Sequence, residues 1–367
     1  MPKGSTTNGA RTSGRRQKPC YAAIDLGTNN CRMLVARPDE KANSANGAAA
    51  GGLHVIDGFS RIVRLGEGVT ASGKLSDEAI QRTVKALKIC AGKIRNRGAV
   101  ETRAIATEAC RQAENGDAFL KTVKAETGLI MKTISPVEEA ELTLTGCVPL
   151  LKTGHPKALM FDIGGGSTEL MWVDTVDADN PSEPPKALDI LSLPFGVVGL
   201  AEEFGKDALA PETFEVIVER VAKALAPFED RHQIQGEIEA GNVHMLGTSG
   251  TVTTLGAIYL DLPRYDRSRV DGLSIRHESI HAICTNLMGL DYEARHNHPC
   301  IGPGRADLMV MGCAIVTAIC RRWPATHLTA ADRGIREGLL LGMIADAQAG
   351  NGARDGSDED KQPVAIS

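Results

Sequence analysis

Two stretches far apart in the chain follow one plan. Residues 23–34 read AIDLGTNNCRML and residues 161–170 read FDIGGGSTEL. Each has an apolar run, then Asp, an apolar residue and Gly, then small polar residues and a second apolar run. An apolar run broken by a tight Gly-containing turn and then resumed reads as strand–turn–strand. Two copies confine the chain to a duplicated architecture. Glycine loses the most backbone freedom on folding, so the run Gly164-Gly165-Gly166 has to serve something beyond reversing the chain.

Strands and helices alternate around these turns, which is the pattern of an α/β protein. Tyr21–Leu26 and Arg32–Ala36 read as strands, and His54–Leu65 resumes strand character after a small, polar loop tip at 41–52. Ser76 opens a helix through about Ile94, and Gly128 closes a helix over Asn115–Thr127. Ser135-Pro-Val-Glu138 is a capping box with Pro at the first helical position. Strands are expected at Thr102–Ala106, Leu129–Ile134, Ala158–Ile163, Thr168–Val173, Leu188–Leu193, His244–Gly247 and His327–Thr329. Further helices are expected at 198–205, 211–227, 251–260, 277–289, 305–322 and 334–347. The expected organisation is a half at 20–135, a half at 136–331 and a hinge near Thr133–Glu139. Residues 1–19 carry Lys and Arg but no acid, and residues from 349 to 367 are rich in Gly, Asp and Ser; both read as disordered tails.

The chain has 367 residues and a formal net charge of −5, which argues against a general nucleic-acid binder. No apolar run is long enough for a membrane helix, and the basic start lacks the apolar core of a secretory signal. Nine scattered cysteines form no C-x-x-C pair, so they read as reduced thiols of a cytoplasmic protein. His296-Asn-His298-Pro-Cys300 matches no common zinc spacing and reads as a polar loop.

Three turns could cradle phosphate with bared backbone amides: Gly27-Thr28-Asn29-Asn30, Gly164-Gly165-Gly166-Ser167-Thr168 and Gly247-Thr248-Ser249-Gly250-Thr251. The third precedes a helix, whose N-terminal field favours anions. Carboxylates beside such loops would repel a polyanion unless a divalent cation lies between. Asp162 and Glu169 flank the glycine turn, and Asp25 stands at the matching place in the first half. Mg²⁺ suits that chemistry, because it takes one or two carboxylates plus substrate phosphates. In Glu138-Glu139 the first Glu completes the capping box, and the second faces elsewhere in the first turn, where the helix dipole favours its ionised form. A carboxylate so placed can deprotonate a water. Arg111 follows a strand end, as the phosphate turns do. Arg264, Arg267 and Arg269 cluster as a candidate distal clamp.

These motifs, with RLGEGV (64–69), AIATEACRQA (104–113), SPVEEAEL (135–142), LPFGVVGL (193–200) and DRGIREGLL (332–340), resemble the exopolyphosphatase / guanosine-pentaphosphate phosphatase family. The resemblance implies two actin-like (ribonuclease H-like) domains with a cleft between them, and a C-terminal helix, about 332–348, that crosses back to the first domain. It implies Mg²⁺-dependent, or Mn²⁺-dependent, hydrolysis of the terminal phosphate of inorganic polyphosphate, with guanosine pentaphosphate as the alternative substrate. A sugar- or acetate-type kinase and a non-catalytic polyphosphate sensor are the more distant alternatives. It puts the catalytic base on Glu139, the metal on Asp162 and Glu169, and a phosphate-contacting arginine on Arg111. It also implies a homodimer of the short form, without the helical C-terminal region of longer members. Two departures stand in the first loop. Thr28 and Asn30 occupy places that usually hold Ser.

Overall fold

The computed structural model describes residues 19–39, 52–152, 154–175, 183–302 and 304–355, with side chains to 349. The basic stretch 1–18, most of the loop tip at 41–52 and the end of the chain from 356 lie outside the described residues.

Strands β1 (Tyr21–Leu26), β2 (Asn30–Pro38), β3 (Leu53–Ile62), β4 (Glu101–Ala106) and β5 (Met131–Thr133) form a five-stranded sheet in the order β3-β2-β1-β4-β5. Strands β6 (Lys157–Ile163), β7 (Thr168–Asp174), β8 (Lys186–Leu193), β9 (Val243–Thr248), β10 (Leu273–Arg276) and β11 (His327–Ala331) form a six-stranded sheet in the order β10-β11-β9-β6-β7-β8. The two orders repeat each other: β1 pairs antiparallel with β2 and parallel with β4, and β6 pairs antiparallel with β7 and parallel with β9. The short edge strand β10, which pairs antiparallel with β11, has no counterpart among the described residues of the first sheet. It has no expectation in the sequence either, because its four residues alternate too briefly to stand out from the helix that follows.

Alternation along the central strands decides where the helices lie. In β1, Ala22, Ile24 and Leu26 face a core shared with the helices Asp77–Arg97 and Gly116–Thr127, whereas Tyr21 and Ala23 face Leu339, Leu340 and Met343 of the helix Ile335–Asp355. In β6, Leu159, Phe161 and Ile163 face the large core of the second half, whereas Ala158 and Met160 face Ala140, Leu144 and Cys147 of the helix Pro136–Cys147. The helices Pro136–Cys147 and Ile335–Asp355 therefore lie between the two sheets and cross at glycines. A Cβ on Gly146 would fall 2.1 Å from the Gly334 carbonyl, and one on Gly338 would fall 2.1 Å from the Leu142 carbonyl. The last helix runs on to Asp355, past the boundary that its Gly- and Asp-rich end suggests.

Local signals hold where they are strong. The capping box of Pro136–Cys147 is formed in both directions: the Glu138 amide donates to Ser135 Oγ at 3.1 Å and the Ser135 amide to Glu138 Oε2 at 2.9 Å. Gly98 and Gly128 close their helices with φ of 64° and 76°, a conformation that costs glycine little. The expected strand His54–Leu65 ends at Ile62, where Arg64 takes a φ of 48° and pairs with Asp307 across the cleft at 3.0 Å.

Candidate active site

Register carries the site. Asp25 on β1 lies opposite Arg32 on β2, and Asp162 on β6 lies opposite Glu169 on β7. Opposed residues of an antiparallel pair project from the same face of the sheet. Asp25 shares its face with Tyr21 and Ala23, and Asp162 shares its face with Ala158 and Met160. Both carboxylates thus point toward the interior helices and toward each other. The two turns beside them are built alike: Gly27 N–H donates to Asn30 O at 2.9 Å, and Gly164 N–H donates to Ser167 O at 2.9 Å.

A cavity of about 120 Å³ lies between these turns. Asp25, Gly27, Thr28, Asn29, Asn30, Glu139, Asp162, Gly164, Gly165, Gly166, Ser167, Ser249 and Gly250 all line it, so most of the residues singled out in the sequence converge. The glycines are there for close approach. None of Gly164, Gly165 and Gly166 has a positive φ. A Cβ on Gly165 would meet Thr28 Cβ at 2.9 Å, and one on Gly166 would meet Glu108 Cγ at 2.8 Å. Amides of the helix Val197–Phe204 clamp the turn from behind, with Val197 N–H on Gly164 O at 3.1 Å and Val198 N–H on Gly165 O at 2.8 Å.

Glu139 is buried, with 8% of its surface exposed. Its Oε2 accepts from Arg111 Nη1 at 2.8 Å. Burial pushes its carboxyl well above the usual range, the nearby Glu169 charge adds to the rise, and Arg111 opposes it. The helix dipole alone would favour the ionised form; here loss of water outweighs it. Arg111 sits in a short helix, Glu108–Gln112, that follows the end of β4, and it does not itself line the cavity. Its guanidinium is shared between Glu139, the Ile134 carbonyl and Glu108.

Several expected residues stand outside the cavity. Glu169 is not in its lining but is buried beside Asp162 and Glu139, with Oε1 accepting from Ser192 Oγ at 2.9 Å. Thr168 donates its hydroxyl to Phe195 O at 2.6 Å. Gly247 is a strand residue whose missing side chain makes room for Phe161, which a Cβ would meet at 2.6 Å. Thr248 donates to Arg333 O at 2.9 Å. Arg267 is no clamp over the cavity: Glu337 holds its guanidinium at 2.6 Å, and Arg264 and Arg269 are exposed.

Two arginines that the sequence reading passed over line the cavity instead, Arg32 and Arg305. An ideal Cβ on Gly250 would lie 3.8 Å from Arg305 Nη1 and 3.9 Å from Arg32 Nη2, so both guanidiniums meet at the start of the helix Gly250–Tyr259. Ser249 caps that helix by accepting from Val252 N–H at 3.0 Å. Burial lowers the pKa of Arg305, and the Arg32 charge lowers it further. Two cations pressed together at a helix N-terminus make an anion site. A signal for Arg32 was present: it follows Asp25 by the same interval as Glu169 follows Asp162. Arg305 has no such marker.

The carboxylates suit a divalent cation. Burial raises the pKa of Asp25, and that of Asp162 goes to about 8 through burial, then Glu169, with Asp25 adding to it. Arg32 opposes the rise at both carboxylates, and a bound cation would favour their ionised forms further. Among the described residues no group of three or more His, Cys, Asp or Glu side chains could hold a metal by itself. The donor set fits Mg²⁺, which keeps several waters and completes its shell with substrate phosphate.

The profile of the Ppx/GppA phosphatase family matches residues 44–347. The chain belongs to the Ppx/GppA phosphatase family. It is 29% identical over 335 residues to Exopolyphosphatase 2 of Mycobacterium tuberculosis, a match that covers 88% of this chain and 98% of that protein. It is 28% identical to a guanosine-5'-triphosphate,3'-diphosphate pyrophosphatase of Photobacterium profundum, over 89% of this chain but only 60% of that longer protein. Among solved structures, the Aquifex aeolicus family member superposes with a TM-score of 0.69 at 26% identity, covering 90% of this chain and 98% of its own. An exopolyphosphatase-like protein superposes with a TM-score of 0.77 at 26% identity, covering 89% and 99%. The fold of this Ppx/GppA chain is accordingly that of the actin-like ATPases. All nine of its cysteines are buried and free, and no described helix is long and apolar enough to cross a membrane.

Proposed function

We propose that this Ppx/GppA chain removes the terminal phosphate from inorganic polyphosphate by hydrolysis. The observation that carries the reading is Glu139: a buried carboxyl at the cavity, held by one arginine, which burial makes more basic than an ordinary carboxylate. Glu139 takes the proton of a water whose oxygen bonds to the terminal phosphorus, and the bridging anhydride oxygen leaves with the shortened chain. Arg32, Arg305 and the start of the helix Gly250–Tyr259 hold the phosphates, and the turns at 27–30 and 164–167 wall the reacting end. Phosphoryl transfer is mainly positioning and electrostatics, which this set of groups provides. Asp25 and Asp162 would hold Mg²⁺, with the Glu169 charge beside Asp162. Bound there, the cation neutralises phosphate oxygens.

Glu139→Gln tests the assignment. Phosphate release should fall by about 10²–10⁴-fold, the usual weight of a general base, while calorimetry still registers polyphosphate binding. Undiminished release would remove Glu139 from the mechanism.

Guanosine pentaphosphate is the second reading, supported by the Photobacterium relative. Polyphosphate stands first because the Mycobacterium exopolyphosphatase matches over nearly its whole length. Phosphate release from long and short polyphosphate, guanosine pentaphosphate and ATP, each with and without Mg²⁺, separates the two.

A further inference from the structure

Arg111 has a partner that the mechanism above does not use. Glu108 lines the cavity and places one oxygen, Oε2, on two corners of the guanidinium, 2.8 Å from Nε and 2.7 Å from Nη2. Nη1 is occupied by Glu139 and by the Ile134 carbonyl, each at 2.8 Å. The Nε–Nη2 edge is the face that an arginine offers to a phosphate. Here a carboxylate from the same short helix occupies it. The charge of Arg111 is thereby shared by two carboxylates, while Nη2, although 2.7 Å from Glu108 Oε2, is buried without a hydrogen-bond partner, so Glu108 stands where an anion would sit without satisfying the whole edge.

The second oxygen of Glu108 points the other way. Oε1 accepts from Gln112 Nε2 at 2.6 Å. Gln112 lines a second interdomain compartment of about 520 Å³. The two compartments are divided by Thr28 and Gly166, which line both. Glu108 packs against that partition, since a Cβ on Gly166 would touch its Cγ at 2.8 Å. The carboxylate thus stands between the Arg111 guanidinium on one oxygen and the Gln112 amide on the other. It keeps a hydrogen-bond partner if it gives up the arginine.

We propose that Glu108 is a specificity-determining residue that holds the place of a substrate phosphate on Arg111. A polyanion gains this arginine only by displacing the Glu108 carboxylate toward Gln112. A ligand with several phosphates supplies enough attraction through Arg32 and Arg305 to drive the exchange. Orthophosphate, with fewer contacts, does not. Glu108 in this way sets the affinity threshold of the site and weakens its hold on its own product. The proposal rests on the phosphate-cleaving reading of the site.

Glu108→Gln and Glu108→Ala test it. Each removes the competing charge, the first with little change of shape. For both, KM for polyphosphate should fall about tenfold, roughly the value of one charge-assisted hydrogen bond, and orthophosphate should inhibit at correspondingly lower concentration. A merely structural role for Glu108 would lower kcat or stability and would not tighten binding. KM and orthophosphate inhibition that are unchanged or weaker in both variants would overturn the proposal. Calorimetric titration with orthophosphate reads the availability of Arg111 without turnover. If the parent protein does not cleave polyphosphate, the reading of the function fails, yet this titration still decides the role of Glu108.

Discussion

Arg32 and Arg305 show at the residue scale how this site trades stability for binding. The Arg305 guanidinium is held, half-buried, near the like-charged Arg32, an arrangement that burial and repulsion both oppose. An anion between them reverses the sign of the interaction. Arg305→Ala should therefore melt at a higher temperature than the parent protein in phosphate-free buffer. It should also lose most of the rise in melting temperature that polyphosphate produces in the parent, because a ligand stabilises only what it binds. Thermal melts with and without polyphosphate check both signs; a variant that melts lower and keeps the ligand-induced rise contradicts them. Arg305 shows as well how far a single residue was legible. It lies in a loop before the helix Leu308–Arg322, and no turn chemistry or spacing marks it. Only the approach of that loop to β3, where a Cβ on Gly304 would strike Ile62 at 2.2 Å, brings it to the cavity.

At the scale of elements, the glycine turn and the strand β9 make separate predictions. Gly165 lets the turn of the second half approach the loop of the first, with the Asn29 amide 3.2 Å from where a Cβ would stand. Gly165→Ala should cost about 1–3 kcal/mol of stability by overpacking and should loosen the closure of the cavity. Chemical denaturation gives the first, and KM for polyphosphate gives the second. On β9, His244 is buried; it accepts from Lys152 N–H at 3.2 Å, and its other nitrogen faces Thr329 Oγ1 at 2.8 Å. Burial, with the nearby Lys152 and His155 charges, lowers its pKa to about 4. Above about pH 6.5, the ordinary histidine value, the ring is neutral folded and unfolded. As the pH falls from there toward 4, the unfolded chain takes up a proton that the fold refuses, so stability is lost across that window. The loss is on the order of 3 kcal/mol, and His244→Gln should flatten it in melts recorded between pH 7 and pH 4. An equal slope in the variant would remove His244 as the cause.

For the whole molecule, the two interior helices are the joint. Pro136–Cys147 carries Glu139 and packs on the second sheet, Ile335–Asp355 packs on the first, and they touch through glycines. Gly338→Ala would press a methyl against the Leu142 carbonyl and push the sheets apart. We expect a cost of about 1–3 kcal/mol together with a fall in kcat, because Asp25 and Asp162 belong to different sheets while the proposed mechanism uses both. Loss of stability without loss of turnover would show that the crossing does not set the geometry of the cleft. Two contacts at the cleft mouth act in the same direction: Arg64 with Asp307 at 3.0 Å and the Gly68 amide with Glu202 Oε1 at 2.7 Å.

The sequence by itself determined the elements whose signals are local. The two D-x-G turns, the capping box before Glu139 and the glycine helix ends depend on backbone geometry within a few residues, and such geometry leaves a residue-by-residue mark. Strand periodicity also told which residues share a face. It could not tell which face would turn inward. That choice was made by the crossing of two helices that are far apart in sequence, and it put Asp25, Arg32 and Asp162 at the cavity while leaving Thr168, Gly247 and Thr248 to packing. The neutralisation of Arg267 by Glu337, the exposure of Arg305 to the phosphate site and the seat of Glu108 on Arg111 were likewise decided only in the tertiary structure. Charge interactions depend on distance in space, and the chain order does not record that distance.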